Sequence, residues 1–210
     1  MNCAWSEEQN YAWRDAVRGT AAHSTLVLNE KSCGSFVDDR LVKSVIGSSV
    51  KTGVESVKVS RKEQTTGIWL EATHNGYLGE TGLQHRRRLY MKHTGHDIRG
   101  EDGLLVPIGA HPKSRDVIPF VIRFHLHPTV RATLAQDMQS ALLIQPNHAG
   151  WRFRTDGGPI KIEDSVYLGE GFRPTKTQQI VIKGAAYADS DGETRSNRVR
   201  WSLRRLEARK

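Results

Sequence analysis

The stretch "PFVIRFHLHP", residues 119–128, alternates apolar and polar side chains with a period of two. Successive side chains of an extended chain point to opposite faces, so this alternation predicts a strand with one buried and one polar face. The side chains expected to face inward are Phe120, Ile122, Phe124 and Leu126, and those expected to face outward are Val121, Arg123, His125 and His127.

Similar alternation recurs along the chain in "TGIWLEATH" (66–74), "TQQIVIKG" (177–184) and "RVRWSLRRL" (198–206). Turn pairs such as Asn75-Gly76 and Asp191-Gly192 separate these stretches. The segment "WRFRTDGGPIKIEDSVYLG" (151–169) reads as two short strands joined by a Gly-Gly-Pro turn, followed by a third. We therefore predict an all-β fold in which antiparallel multi-stranded sheets stack as a β-sandwich, forming one domain over residues 1–210.

The charge of the chain favours an anionic partner. The 210 residues carry a net charge of +8, are 37% hydrophobic and contain 26% charged residues. A basic surface suits nucleic acid, an acidic lipid surface or an acidic polysaccharide, although excess charge also serves solubility alone. No nucleic-acid-binding motif is visible and no apolar run approaches the roughly 20 residues of a membrane span, so we expect neither nucleic acid nor a membrane span.

Two motifs carry histidines and arginines on strands. His125 and His127 share a face, as zinc ligands on a strand do, but a polar outer face explains them equally well. In "HRRRLY" (85–90), Arg87 lies beside His85 on one face, and this pair suits the carboxylate or sulfate of an acidic sugar. The alternative is a charged strand face whose arginines pair with acidic neighbours.

The segment "GHDIRGEDGLL" (95–105) is rich in glycine and acidic residues. Asp97, Glu101 and Asp102 suggest calcium, but their spacing is not that of an EF-hand loop. A turn closed by Arg99 is the interpretation we prefer here.

The segment "RGTAAHSTLVL" (18–28) predicts a strand in which His23 shares a face with Thr25 and Val27. From the residues alone, His23 is either a satisfied core histidine or part of a site.

Five stretches together resemble the C-terminal β-domain of the heparinase II/III-like polysaccharide lyases, in particular the alphaproteobacterial group. They occur in the family's order and cover nearly the whole chain. The stretches are "RGTAAHSTLVL" (18–28), "HNGYLGETGLQHRRRLYMKHTGHDIRGED" (74–102), "FVIRFHLHPTVRATLAQDMQSALLIQPNHAGWRFR" (120–154), "SVYLGEGFRPTKTQQIVI" (165–182) and "WSLRRL" (201–206).

The resemblance implies β-elimination of uronic-acid-containing polysaccharides at a site between this β-domain and an N-terminal α/α toroid. It implies that His23 faces the site and, in metal-containing members, helps to hold zinc. The toroid and its catalytic tyrosine have no counterpart here, so we expect a β-domain truncated at its N-terminus, inactive alone and without its own zinc. The family implies the cell envelope or periplasm, while the lack of a signal pattern leaves the cytoplasm open.

We therefore expect His23, His85 and Arg87 to bind an acidic polysaccharide, with His23 as the one candidate metal ligand. The main acid and base residues are expected outside this chain. The alternative function is that of a non-catalytic β-sandwich module that binds acidic polysaccharide through its arginine faces.

Overall fold

The computed structural model describes residues 16–37, 39, 41–42, 45, 49–109, 117–169, 174–187 and 197–207. These residues form fourteen strands, a short 3-10 helix (Thr20–Ala22) and a four-residue helix, α1 (Leu78–Thr81), and residues 16–18, 41–42 and 45 are also helical. The strands are β1 (Leu26–Leu28), β2 (Ser35–Phe36), β3 (Val50–Thr52), β4 (Val57–Gln64), β5 (Gly67–His74), β6 (Gln84–Lys92), β7 (Asp97–Leu105), β8 (Val117–His125), β9 (Arg131–Leu134), β10 (Ser140–Ile144), β11 (Gly150–Thr155), β12 (Ile160–Tyr167), β13 (Thr175–Tyr187) and β14 (Arg198–Arg205).

Two antiparallel sheets make up the β-sandwich, as the alternation predicts. The larger sheet has eight strands in the order β4-β5-β6-β7-β14-β11-β10-β9, and the smaller has four in the order β1-β8-β13-β12. Strands β2 and β3 form a separate ribbon. No helix in the described part of the chain has the length and apolar character needed to cross a membrane.

The core lies between the two sheets. Phe120 and Ile122 of β8 are buried, while Phe124 and Leu126 are partly buried and pack against the same cluster. From the larger sheet, Phe153 contributes to this cluster. The predicted inward face of residues 119–128 is thus confirmed, because these side chains are removed from water by the opposite sheet.

The prediction of a continuous strand over residues 18–28 is wrong. Residues Thr20–Ala22 form a 3-10 turn, and the strand begins only at Leu26. His23 follows the turn, and its backbone N–H donates to the carbonyl of Thr20. The Thr20 hydroxyl also accepts from the backbone N–H of Cys33, which anchors the turn to a distant segment and stops the strand short of His23.

Residues 151–169 do not form the hairpin that their turn signal suggests. Strand β11 belongs to the larger sheet and β12 to the smaller, so the Gly-Gly-Pro segment crosses between layers. A Cβ atom on Gly157 would lie 2.5 Å from the side chain of Val199, and Gly158 has a φ of +94°. This corner needs both glycines because one packs against the core and the other adopts a left-handed backbone.

The turn predicted within residues 95–105 is confined to Gly95 and His96, because Asp97–Leu105 form β7. The strand pairs with β6 on one side and β14 on the other, and these two neighbours satisfy its backbone hydrogen-bonding groups. Arg99 does bind Asp97, as the turn interpretation expects, but both residues lie within the strand.

Candidate functional site

Two histidines and an aspartate form a line of hydrogen bonds on the inner face of the larger sheet. His74 and His85 are directly opposite each other on β5 and β6, with Nε2 of His74 3.1 Å from Nδ1 of His85. Nε2 of His85 lies 2.9 Å from the carboxylate of Asp102 on β7. The backbone N–H of Gly76 donates to Nδ1 of His74, so in the neutral rings each Nε2–H donates to the next member of the line.

Asp102 is the centre of this network and is only 1% exposed. Its carboxylate accepts hydrogen bonds from His85, from Nε and Nη2 of Arg87, and from the indole N–H of Trp201. Burial alone would raise the pKa of Asp102, but the hydrogen bond from His85 and the positive charge of Arg87 outweigh it and lower the pKa to about 2. Asp102 is therefore a buried carboxylate held in its charged form by its donors.

His74 lies at the more exposed end of the line. Burial and the neighbouring His85 lower its pKa to about 4. Its ring also lies 5.7 Å from that of Tyr77, whose hydroxyl donates to the carbonyl of Leu26 in β1. His74 is therefore neutral at physiological pH, with both ring nitrogens already in hydrogen bonds.

Arg87 connects this network to the segment that contains His23. Besides its two bonds to Asp102, Arg87 donates from Nη1 to the backbone carbonyl of Ser24, the residue after His23. The hydroxyl of the same Ser24 accepts from the backbone N–H of His125. Ser24 is thus held from the larger sheet through its carbonyl and from the smaller sheet through its hydroxyl.

His125 lies on the outer side of the smaller sheet, within reach of the charge of His23. Burial chiefly lowers the pKa of His125, while its hydrogen bond to the carbonyl of Ala21 opposes this shift. The charges of Arg123 and His23 lower the pKa further. Nδ1 of His125 lies 2.8 Å from the hydroxyl of Ser165, so both of its ring nitrogens are engaged.

Two polar atoms near His125 are buried and have no hydrogen-bond partner among the described residues. They are Nη1 of Arg123, two residues before His125, and Oε1 of Gln179, which is opposite His125 on β13. Buried polar groups are usually paired, so these two atoms are exceptions among the side chains around His125.

The predicted site residues therefore fall into two groups. His85 and Arg87 meet at one carboxylate, but His85 is only 3% exposed and is enclosed by the core. His23 belongs to the cluster beside His125, and Ser24 links the two groups. The alternative interpretation of "HRRRLY", a charged strand face, is confirmed, since the carboxylates of Asp102, Glu101 and Glu71 all pair with its arginines.

Sequence reasoning did not recognise His74, Asp102 and Trp201 as one network. Each lies on a strand whose alternation is visible in the sequence, but they come together only through the pairing of β5, β6, β7 and β14. Trp201 and Asp102 are 99 residues apart in the chain.

The donor sets predicted for metals do not fit a metal ion. In the part of the chain described, no three His, Cys, Asp or Glu side chains are grouped as metal ligands. Nδ1 of His127 contacts the hydroxyl of Thr129 rather than sharing a centre with His125. Of the calcium candidates, Asp97 and Glu101 lie on the outer face of β7 while Asp102 lies on the inner face, so the three carboxylates do not converge.

Comparisons with known proteins agree with this architecture. FtsZ-localized protein C of Caulobacter vibrioides is 32% identical over 98% of this chain and 34% of that protein. Heparan sulfate lyase HepC from Pedobacter heparinus superimposes with a TM-score of 0.68 and 11% identity, over 99% of this chain and 28% of that one. A HepC mutant gives 0.65 and 10%, over 100% and 28%. At 10–11% identity, the similarity to HepC is evidence for a shared fold alone.

The chain spans about a third of the length of the curated relative it matches. Residues 1–202 match the family described as heparinase II/III-like, C-terminal. With a family match over nearly the whole chain and the β-sandwich of that domain, the chain belongs to the heparinase II/III-like C-terminal domain family.

Proposed function

We propose that this chain is the β-domain of a lyase that cleaves uronic-acid-containing acidic polysaccharide by β-elimination and needs the toroid domain for activity. The observation that supports the proposal is the pair of hydrogen bonds that anchor Ser24. Arg87 of the larger sheet donates to its carbonyl, and the backbone N–H of His125 in the smaller sheet donates to its hydroxyl, so the adjacent His23 is held close to His125. In this proposal His23 contacts the sugar, whereas His85 and Arg87 act from the interior as positioning residues.

The chemistry requires three groups near the sugar. A base removes the proton at C5, the bond from C4 to the leaving oxygen breaks as a C4–C5 double bond forms, and an acid protonates that oxygen. The C5 proton becomes acidic only when the adjacent carboxylate is neutralised.

The test is the rise in ultraviolet absorbance from the unsaturated product, with heparan sulfate, alginate and hyaluronan offered in turn. We expect a flat trace for the 210-residue chain alone. A longer protein in which a toroid precedes these residues should be active on one of the three, and His23→Ala in that protein should abolish turnover. Full activity of His23→Ala, or turnover by the purified short chain that His23→Ala removes, would contradict the proposal.

A second proposal is supported by the 32% identity to FtsZ-localized protein C, which extends over 98% of this chain. We propose that the protein containing this domain also localises with FtsZ. A fluorescent fusion of the full-length protein should follow labelled FtsZ in the cell and disperse when FtsZ is depleted. A distribution that ignores FtsZ depletion would exclude this proposal without affecting the first.

A further inference from the structure

The outer face of the larger sheet is strongly basic. From β5 to β11, period-two alternation places eight arginines and three carboxylates on this face. The arginines are Arg86, Arg88, Arg99, Arg152, Arg154, Arg198, Arg200 and Arg204, and the carboxylates are Glu71, Asp97 and Glu101. The larger sheet therefore carries a concentrated excess of positive charge on the side that faces away from the core.

Two of the three carboxylates on this face are shared between several arginines, and together the three leave most of the positive charge uncompensated. Glu101 lies within 3.4 to 3.8 Å of four guanidinium groups, on Arg86, Arg88, Arg198 and Arg200. Asp97 is shared by Arg99 and Arg204 in the same way. One carboxylate cannot neutralise four guanidinium groups, so an external anion is attracted to the remainder.

A groove of about 490 Å³ runs across this face. Its lining includes five arginines and two carboxylates, Glu101 and Asp156. The arginines are Arg88, Arg99, Arg154, Arg200 and Arg204. The groove thus has a defined concave shape as well as an excess of positive charge.

An exposed aromatic side chain forms one wall of the groove. Trp69 is 39% exposed, and its ring centroid lies 4.9 Å from that of Tyr90. The guanidinium of Arg88 lies 6.0 Å from the Trp69 ring centroid. The flat indole of Trp69 presents an apolar surface to a sugar ring, and the neighbouring guanidinium groups present charged donors to the acidic substituents of that sugar.

We propose that this groove binds an acidic polysaccharide, with the arginines contacting carboxylate or sulfate groups and Trp69 contacting a sugar ring. The anionic character of the ligand follows from the charge of the groove alone. Its identity as a polysaccharide rests on the proposed function. Single-stranded nucleic acid is disfavoured because the described lining offers one exposed aromatic platform rather than the row on which successive bases stack.

This groove is separate from the cluster that contains His23. His125 points to the outer side of the smaller sheet, whereas the groove lies on the outer side of the larger sheet, with the core between them. The groove therefore holds the polymer independently of the site proposed for cleavage.

The test compares two triple variants of the 210-residue chain that lose the same charge. Arg154→Gln, Arg200→Gln and Arg204→Gln remove three groove arginines, while Lys51→Gln, Lys161→Gln and Lys183→Gln remove three exposed lysines outside the groove. Affinity for a heparan sulfate octasaccharide and an oligoguluronate is measured by calorimetry at physiological salt. We expect about a tenfold loss for the arginine variant and less than twofold for the lysine variant.

Equal losses in the two variants would show that binding follows net charge alone and would overturn the proposal. Tighter binding to an oligothymidylate of equal charge, lost in the arginine variant, would assign the groove to nucleic acid and overturn the polysaccharide. Trp69→Ala should also weaken oligosaccharide binding. Unchanged affinity in this variant would overturn the proposal that Trp69 contacts a sugar ring. Binding without turnover supports this groove even if elimination is never seen, so its outcome is separable from that of the lyase proposal.

Discussion

Replacing Asp102 by asparagine should strongly destabilise the fold. Asparagine keeps the size of the side chain but removes its charge, and its amide N–H₂ faces groups that are themselves donors. Arg87, whose side chain is only 19% exposed, is then left without its counter-ion. Breaking a buried ion pair in this way costs about 3–5 kcal/mol, and we take about 3 kcal/mol because Arg87 keeps its bond to Ser24.

The lowered pKa of Asp102 arises from the same contacts with His85 and Arg87. A pKa lowered from 3.8 to about 2 corresponds to about 2 kcal/mol in favour of the charged carboxylate in the folded state. The folded pKa lies below the unfolded value, so this stability is present above about pH 4 and is lost as the pH falls towards 2. Asp102→Asn should remove this acid sensitivity as well as the stability.

The assay is equilibrium unfolding in urea at pH 7. A loss of about 3 kcal/mol shifts the midpoint by about 1 M or more for a slope of about 2 kcal/mol per molar. Glu71→Gln is the matched control, because Glu71 is 42% exposed and pairs with the exposed Arg88 on the outer face. We expect the control to cost less than about 1 kcal/mol.

A double-mutant cycle that combines Asp102→Asn with Arg87→Met shows whether the lost free energy of unfolding comes from the unpaired Arg87. If the unpaired guanidinium is responsible, the double variant should lose at least about 1.5 kcal/mol less than the sum of the two single losses. Strict additivity, or a loss in Asp102→Asn no larger than that in Glu71→Gln, would refute the view that this carboxylate holds the two sheets together through Arg87.

Three further predictions concern other parts of the molecule. The folded pKa of His74, about 4, lies below its unfolded value, so stability should fall as the pH drops from 6.5 towards 4. His74→Gln should flatten that slope when urea unfolding is measured across this pH range, and an unchanged slope would contradict this. Purified chain should retain no stoichiometric zinc by elemental analysis, and tight zinc abolished by His23→Ala would contradict this. Gly100→Ala should cost at least about 2 kcal/mol, because its Cβ would lie 2.1 Å from the indole of Trp201, whereas Gly103→Ala on the same strand has no contact closer than 3.9 Å and should be tolerated.

Local alternation predicts the class of fold and the faces of individual strands. The division of "HRRRLY" into two faces is as predicted, and the structure turns Arg86 and Arg88 outward and His85 and Arg87 inward. The alternation predicts these faces because every second side chain of a strand is buried, and this pattern can be read without knowing which strand lies next to it. It also identifies His85 and Arg87 as neighbours on one face.

Alternation does not reveal which sheet a strand joins or what its polar residues meet. The segment 151–169 contains a hairpin-like turn, yet β11 and β12 belong to different layers. In the sequence, Asp102 lies among glycines and acidic residues, a composition typical of a turn or a calcium site. Its role as a buried hydrogen-bond acceptor depends instead on donors such as Trp201 of β14. Such roles depend on pairings between segments far apart in the chain, which a local pattern cannot encode.

The net charge of the chain combines two kinds of arginine that do different work, and only strand register separates them. On β6, Arg87 points inward, pairs with Asp102 and donates to the carbonyl of Ser24, so its charge is neutralised inside the fold. Its neighbours Arg86 and Arg88 point outward, where they share Glu101 with arginines of β14. Substituting all three together would unfold the sandwich and weaken anion binding at once, and the two causes would be indistinguishable. An anion-binding test must therefore leave Arg87 in place and change outward-facing arginines alone, because only their loss reports on the surface rather than on the core.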